Sequence, residues 1–288
     1  MYVGRFAPSP TGPLHFGSLV AALASWLDAR AARGRWLLRI EDLDAPRTQP
    51  GAADDILRGL ERLGLTWDGP VVYQSLRAAR YEAALQRLRA STYWCGCTRR
   101  EIADSALGLA ADGAQIYPAT CGRGLPPGKA PRALRVRAGP ESISFVDRVQ
   151  GKREQSLQRE VGDFILYRAD GQVAYQLAVV VDDAEQGITD VVRGADLIDS
   201  TARQIHLQRL LGYPLPRYLH VPVAVDASGE KLSKHTGAQA IDPSRRHELV
   251  PRSLAFLGQP VTADLDEALA NWNPARIPQT RVKAADGV

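Results

Sequence analysis

Arg5-Phe6-Ala7-Pro8-Ser9-Pro10-Thr11-Gly12-Pro13-Leu14-His15-Phe16-Gly17-Ser18 is the stretch on which the fold turns. It leaves a short, partly apolar strand, Tyr2–Ala7, which Pro8 stops. Pro8, Pro10, Gly12 and Pro13 stiffen the loop that follows. Leu19, Leu23, Trp26 and Leu27 then recur at helical spacing, which predicts a helix from about Leu14 to Arg33. A strand that runs through a rigid loop into the first turn of a helix suits anion binding. The first-turn N–H groups lack partners within the helix, and the helix dipole is positive there. His15 adds a donor in that turn. Gly17 has no side chain, so a flat base or ribose can lie against the backbone.

Outward from this corner, Trp36–Ile40 reads as a second strand. Gly51–Leu63 and Arg77–Arg89 read as helices, the first with Ile56, Leu57, Leu60 and Leu63 on one face. This β-loop-α-β-α order predicts an α/β fold with a parallel sheet. The middle differs. Roughly Tyr93–Leu157 is rich in Gly, Pro and Arg and holds all three cysteines. It has short alternating runs such as Leu134-Arg135-Val136-Arg137, and reads as an inserted subdomain. The α/β pattern returns with Phe164–Tyr167, a turn at Asp170-Gly171 and the apolar run Leu177–Val181. Ile188–Val192 is another strand, Ser200–Leu211 a helix capped by Ser200, and Tyr218–Val225 a strand. A polar loop follows Gly229-Glu230, then helices near His247–Leu257 and Asp264–Trp272. Residues 1–92 and 161–235 are thus expected to form one catalytic domain, 93–160 the insert and 236–288 a short helical end. From about Pro274 the chain is polar and aperiodic, and a loose end is expected.

The bulk numbers set wide bounds. A length of 288 residues fits two domains, or one carrying an insertion. With 45% hydrophobic and 24% charged residues, the composition is that of an ordinary globular chain. A net charge of +4 permits a nucleic-acid partner without requiring one. Three cysteines argue against a disulfide framework and for a reducing cytoplasm. Met1–Phe6 shows no secretory leader, and no run approaches the ~18 apolar residues of a membrane helix.

A second segment complements the first. Lys231-Leu232-Ser233-Lys234-His235 places two lysines and a serine in a loop after a strand. Such a loop can close over a polyphosphate and neutralise charge as pyrophosphate departs. The Walker pattern is absent. Either segment alone is ordinary: a histidine near a helix start is usually a cap, and a lysine cluster is usually solvated. Together, flanking an α/β core, they resemble the two signatures of class I aminoacyl-tRNA synthetases. His15–Ser18 looks like the HIGH element and Lys231–His235 like the KMSKS loop. The resemblance implies a Rossmann-type parallel-sheet core that binds ATP through His15, Gly17, Ser18, Lys231, Ser233 and Lys234. His15 and Lys234 would be its catalytic residues, and Mg2+ would ride on the ATP phosphates.

The string Arg5–Ser9 resembles glutamyl-tRNA synthetases in particular. So do Arg39-Ile40-Glu41-Asp42-Leu43-Asp44, Val179–Asp183 and Val192-Arg193-Gly194-Ala195-Asp196. The resemblance implies a glutamate pocket made by Arg5, Phe6, Ala7, Pro8, Ser9, Glu41, Tyr175 and Arg193. Arg5 and Arg193 can fork onto the side-chain carboxylate with the Tyr175 hydroxyl beside them, while Ser9 and Glu41 hold the ammonium. Taken singly, Arg5, Glu41 and Arg193 read equally well as structural ion pairs at strand ends.

Only residues 236–288 follow the basic loop, too few for the large anticodon-reading module, and Ser18 is not followed by the usual arginine. These departures resemble the glutamyl-Q tRNA(Asp) synthetases, which glutamylate queuosine in the anticodon of tRNA(Asp). The implied partners are ATP, L-glutamate and queuosine-bearing tRNA(Asp), with no membrane and a monomeric enzyme. The alternatives are an enzyme charging a tRNA 3′ end and a silent tRNA-binding paralogue. Cys95, Cys97 and Cys121 can take three corners of a zinc tetrahedron, with no histidine nearby. The resemblance supplies Tyr117 as the fourth ligand of a structural Zn2+. Metal-free structural thiols are the other reading.

Overall fold

The computed structural model describes residues 1–226 and 239–285. The first half of the core comprises β1 (Val3–Phe6), α1 (Phe16–Ala31), β2 (Arg35–Ile40), α2 (Ala52–Leu63), β3 (Val72–Tyr73) and α3 (Ala78–Arg87). Next come β4 (Thr92–Cys95), α4 (Arg99–Ser105), β5 (Ala133–Val136), β6 (Ser142–Asp147), β7 (Gly151–Ser156), α5 (Leu157–Glu160) and β8 (Phe164–Tyr167). The core resumes with α6 (Tyr175–Glu185), β9 (Asp190–Gly194), α7 (Thr201–Leu211), β10 (Arg217–Val221) and β11 (Val223–Val225). α8 (Arg246–Phe256), α9 (Leu265–Ala270) and β12 (Val282–Ala284) close it.

β1, β2 and β3 pair in parallel. So do β9, β10 and β6, with β7 added antiparallel at the edge. The groups meet where β1 runs beside β9: the Thr189 N–H donates to the Val3 carbonyl at 2.9 Å, and the Val3 N–H to the Thr189 hydroxyl at 2.9 Å. The resulting order, β3-β2-β1-β9-β10-β6-β7, reverses its direction of growth between β1 and β9. In open parallel sheets, ligands bind at such a reversal, beyond the carboxyl ends of the strands.

Side-chain alternation along β2 shows why helices cover both faces. Trp36 and Leu38 enter one core cluster with α1, α2, α8 and α9, while Leu37 enters the other with α3, α6 and α7. A strand buried on both sides is apolar over most of its length, and the one buried charge of β2, Arg39, is paired. α1 is likewise enclosed. Leu19, Leu23 and Leu27 join the β2 cluster, and Phe16, Val20 and Ala24 pack with Val192, Leu219 and Phe256. Trp36 is fully buried, with its indole N–H satisfied by the Ser25 hydroxyl of α1 at 2.9 Å. α2 is amphipathic by contrast, with Ile56, Leu60 and Leu63 buried and Asp54, Asp55 and Arg58 exposed or half-exposed. It ends at Gly64, whose φ of 80° is left-handed backbone that favours glycine.

Three expectations are corrected and one open run is assigned. The apolar run Leu177–Val181, to which periodicity gave no element type, is the middle of helix α6; a helix buried all round shows no polar face to reveal its period. Ser200 makes no side-chain cap to α7, because a 3-10 turn over Ala195–Ser200 feeds that helix directly and its hydroxyl accepts from Gln176. The run Tyr218–Val225 is two strands. Pro222, lacking an N–H, ends the β10 ladder, and β11 pairs with β12 instead. That pairing also orders part of the polar end, with Ile277 buried in the core.

β4, β5 and β8 form a separate antiparallel sheet. The hairpin β6–β7 lies between β5 and β8 in the chain yet joins the parallel core. At its turn, the Arg148 guanidinium bonds Asp28 of α1 at 2.9 Å. Among the described residues, no helix is long and apolar enough to cross a membrane.

Candidate active site

A cavity of about 360 Å³ opens at the sheet's reversal point, between the carboxyl ends of β1 and β9. Arg5, Phe6, Ala7, Pro8, Ser9, Glu41, Tyr175 and Arg193 all line it, together with His15, Gly17 and Ser18. Residues separated by most of the chain length thus meet in one hollow. Lys231, Ser233 and Lys234 lie outside the described residues. β11, just before them, lines the cavity through Val223 and Ala224, and Ala240, just after them, forms an antiparallel bridge with His15.

His15 is the N-cap of α1. Its Nδ1 accepts the Ser18 N–H at 3.3 Å, and the Ser18 hydroxyl accepts the His15 N–H at 2.8 Å, a reciprocal capping box. An accepting Nδ1 carries no proton, so the neutral ring carries it on Nε2, a donor. Ser18 therefore lines the cavity while its hydroxyl serves the cap.

Charge in the cavity wall is organised by a buried ion network. Arg5 forks onto Asp183 of α6, with Nε–Oδ1 at 3.2 Å and Nη2–Oδ2 at 3.3 Å. Asp183 also accepts from Arg39 at 2.8 Å, and Arg39 reaches Glu41 at 3.2 Å. Burial pushes the Asp183 carboxyl up, but Arg5 and Arg39 outweigh it and hold the group below its ordinary value. For Glu41 burial wins over Arg39 and Arg5, and its pKa is raised. Burial also raises the Tyr175 phenol, which stays a neutral donor.

Arg193 is tied as firmly. Its Nε donates to His220 Nε2 at 3.0 Å and Nη1 to Gln204 Oε1 at 2.9 Å. Nη2 donates to the Thr201 hydroxyl at 3.0 Å and to the Leu197 carbonyl at 3.2 Å. A guanidinium has five N–H groups. One Nη1 hydrogen is left for a ligand, so a two-pronged fork from Arg193 requires breaking a protein contact. The sequence pattern assigns no role to Asp183, Arg39, Gln204 or His220. The legible signal was a histidine inside an apolar strand, Tyr218-Leu219-His220-Val221.

The cysteines form a second cluster, remote from the cavity in sequence and packing. The three Sγ atoms lie within 4.8 Å of one another. The Tyr117 hydroxyl is 3.3 Å from Cys95 Sγ and 3.5 Å from Cys97 Sγ, and Cys97 and Cys121 are 3.6 Å apart. A tetrahedron with ~2.3 Å metal–sulfur and ~2.0 Å metal–oxygen bonds has edges of about 3.8 Å and about 3.5 Å, so four atoms at these spacings fit one ion. Burial pushes the Cys97 thiol up to about 11, and the same seclusion favours a cation that would pair with thiolate. The Arg135 guanidinium lies 3.8 Å over the Tyr117 ring.

The model for class I tRNA synthetases (E and Q), catalytic domain, matches residues 2–255. A glutamyl-Q tRNA(Asp) synthetase of Verminephrobacter eiseniae is 60% identical over 279 residues, covering 95% of each chain. One from Dechloromonas aromatica is 59% identical, covering 96% of this chain and 91% of its own. Among solved structures, a glutamate tRNA ligase from Elizabethkingia meningosepticum, in complex with its amino acid, superposes with a TM-score of 0.81 at 25% identity. That match covers 97% of this chain and 66% of the ligase.

Proposed function

This chain belongs to the class I tRNA synthetases (E and Q), and among them to the glutamyl-Q tRNA(Asp) synthetases, and we propose that its cavity activates glutamate with ATP and passes the glutamyl group to queuosine in tRNA(Asp). The observation that carries the reading is the convergence of Arg5, Ser9, Glu41, Tyr175 and Arg193 with His15 and Gly17 around one cavity.

In this reading Arg193 offers its remaining N–H and Tyr175 its hydroxyl to the side-chain carboxylate, inside the positive field of Arg5. Glu41 and Ser9 receive the ammonium. A carboxylate oxygen of the glutamate α-carboxyl attacks the α-phosphorus of ATP. The bond from that phosphorus to the bridging oxygen breaks, and pyrophosphate leaves. The first turn of α1 and the Nε2 proton of His15 face the developing negative charge. Lys234 supplies countercharge to the departing pyrophosphate, with Lys231 and Ser233 on the polyphosphate. Mg2+ bound to the ATP phosphates neutralises part of their charge. A diol hydroxyl of queuosine then attacks the acyl carbon and loses its proton, and AMP departs. Cys95, Cys97, Tyr117 and Cys121 would hold a structural Zn2+, tying β4 to the 117–121 segment.

Labelled glutamate and ATP, offered separately with tRNA(Asp) that carries queuosine, with tRNA(Asp) that lacks it and with tRNA(Glu), test the reading. Label on the modified tRNA alone is expected. Label on tRNA(Glu), or adenylate formation without transfer to either preparation, overturns the acceptor assignment.

A further inference from the structure

Arg193 and His220 are direct partners across the parallel pair β9–β10. His220 is fully buried, and its two ring nitrogens have opposite tasks. Nε2 faces the Arg193 Nε–H at 3.0 Å, and an arginine nitrogen only donates. Nε2 must therefore accept, which leaves the ring proton on Nδ1. Nδ1 lies 2.6 Å from Asp147 Oδ2, at the end of β6. The other oxygen, Oδ1, accepts three backbone N–H groups: Gln150 at 2.8 Å, Val149 at 3.0 Å and His220 itself at 3.2 Å. The carboxylate is fixed in orientation at one oxygen and reads the imidazole with the other.

We propose that Asp147 and His220 are positioning residues for Arg193, the carboxylate fixing the imidazole tautomer and the imidazole aiming the guanidinium at the side-chain carboxylate of glutamate. This rests on the glutamate reading of the cavity. Two further facts agree with it. Burial pushes the His220 pKa down to about 4, so the ring is neutral at ordinary pH and able to accept. The opposite edge of Arg193 is set by Gln204, whose amide donates to Gln176 Oε1 at 3.1 Å. With both edges held, the remaining N–H has one direction. The ordering cost of a flexible arginine is then met before glutamate binds.

Asp147→Asn reverses the tautomer with almost no change of shape. Three N–H groups hold the amide oxygen at the Oδ1 position, so the amide nitrogen faces Nδ1 and donates to it. The ring proton moves to Nε2 and opposes the Arg193 Nε–H. The KM for glutamate in ATP–pyrophosphate exchange is expected to rise on the order of ten-fold or more, as for a lost hydrogen bond to a charged group. The KM for ATP should stay within about two-fold, since in this reading Arg193 contacts the amino acid and not the nucleotide. His220→Gln keeps an acceptor near the Nε2 position and should retain most glutamate affinity, whereas His220→Phe should not. Adding D147N to H220Q should cost clearly less than D147N alone, because no ring tautomer is left to set and only an amide can reorient. Nitrogen-15 spectra of histidine-labelled protein should show His220 protonated at Nδ1, and at Nε2 in D147N.

Several results overturn the proposal: a folded D147N with unchanged glutamate KM, equal penalties from D147N in the histidine and glutamine backgrounds, or an Nε2–H tautomer in the unaltered protein. If D147N does not fold, equal glutamate KM values for H220Q and H220F overturn it on their own. Absence of glutamate-dependent exchange in the unaltered enzyme instead removes the activation reading, and the tautomer spectrum then decides the Asp147–His220 arrangement independently.

Discussion

The cavity and the cysteine cluster both gather polar groups away from water, and they do it in opposite ways. In the cavity wall every buried charge has a protein partner of opposite sign or a directed hydrogen bond: Arg5 with Asp183, Asp183 with Arg39, Arg39 with Glu41, Arg193 with His220. In the cluster, three thiols and a phenol meet mainly one another, at spacings that suit a shared ion. The first arrangement is complete before its ligand arrives. The second would be completed by an ion. A site that must release its occupant at each turnover needs the former, and a staple that never lets go can use the latter.

The strongest way to break this contrast is at Asp183, which pairs two buried arginines. Asp183→Ala is expected to lower unfolding free energy by about 3–5 kcal/mol, because it leaves buried charge uncompensated. Urea denaturation measures this, and a loss below about 1 kcal/mol would show that the network is better solvated than its burial implies.

Acid tests the cavity wall next. Burial holds folded His220 at about 4, while an exposed histidine titrates near 6.5. Between these values the unfolded chain binds a proton that the folded chain refuses. Stability should therefore fall as pH drops from about 6.5 to about 4, by about 3 kcal/mol in all from this residue. His206, also lowered by burial, adds in the same direction. H220Q should flatten the His220 share of the slope, and an unchanged slope would place the acid sensitivity elsewhere.

The cysteine cluster should respond to its ion instead. Tyr117→Phe is expected to weaken zinc binding at least 10–100-fold, the range that changes outside the ligand shell alone can reach. Competition with a chromogenic chelator reads it, and equal affinity would mean that the phenol is not a ligand. The smallest expected effect sharpens the contrast most. Removing the ion with a chelator should leave calorimetric glutamate affinity within about two-fold while hydrogen exchange quickens in β4 and β5, since separately packed clusters respond independently.

What the sequence disclosed follows the same division. The corner from Arg5 to Ser18 was legible because prolines punctuate it and Leu19, Leu23 and Leu27 carry a clear period. α2 was legible because one of its faces is polar. α6 was not, since burial on all sides erases the period that would identify it. The cavity residues were legible as a set through resemblance, and the cysteines through their spacing. Their partners were hidden for a geometric reason: Arg5 and Asp183 are 178 positions apart, and His220 and Asp147 are 73 apart. No local pattern reports a contact that only the closed sheet creates. The pairing of the β6–β7 hairpin with β10, rather than with the antiparallel sheet around the cysteines, escaped the sequence for the same reason.

That hairpin has a mechanical consequence. Two neighbouring residues at its end reach different elements: Asp147 toward β10 and, through His220, Arg193, and Arg148 toward Asp28 of α1. α1 begins at the hollow too, with Gly17 and Ser18 in its wall. A change of turn length at this hairpin would thus disturb the hold on Arg193 and the anchoring of α1 together. The shape of the hollow is thereby tied to a hairpin at the edge of the sheet, outside the residues that line it.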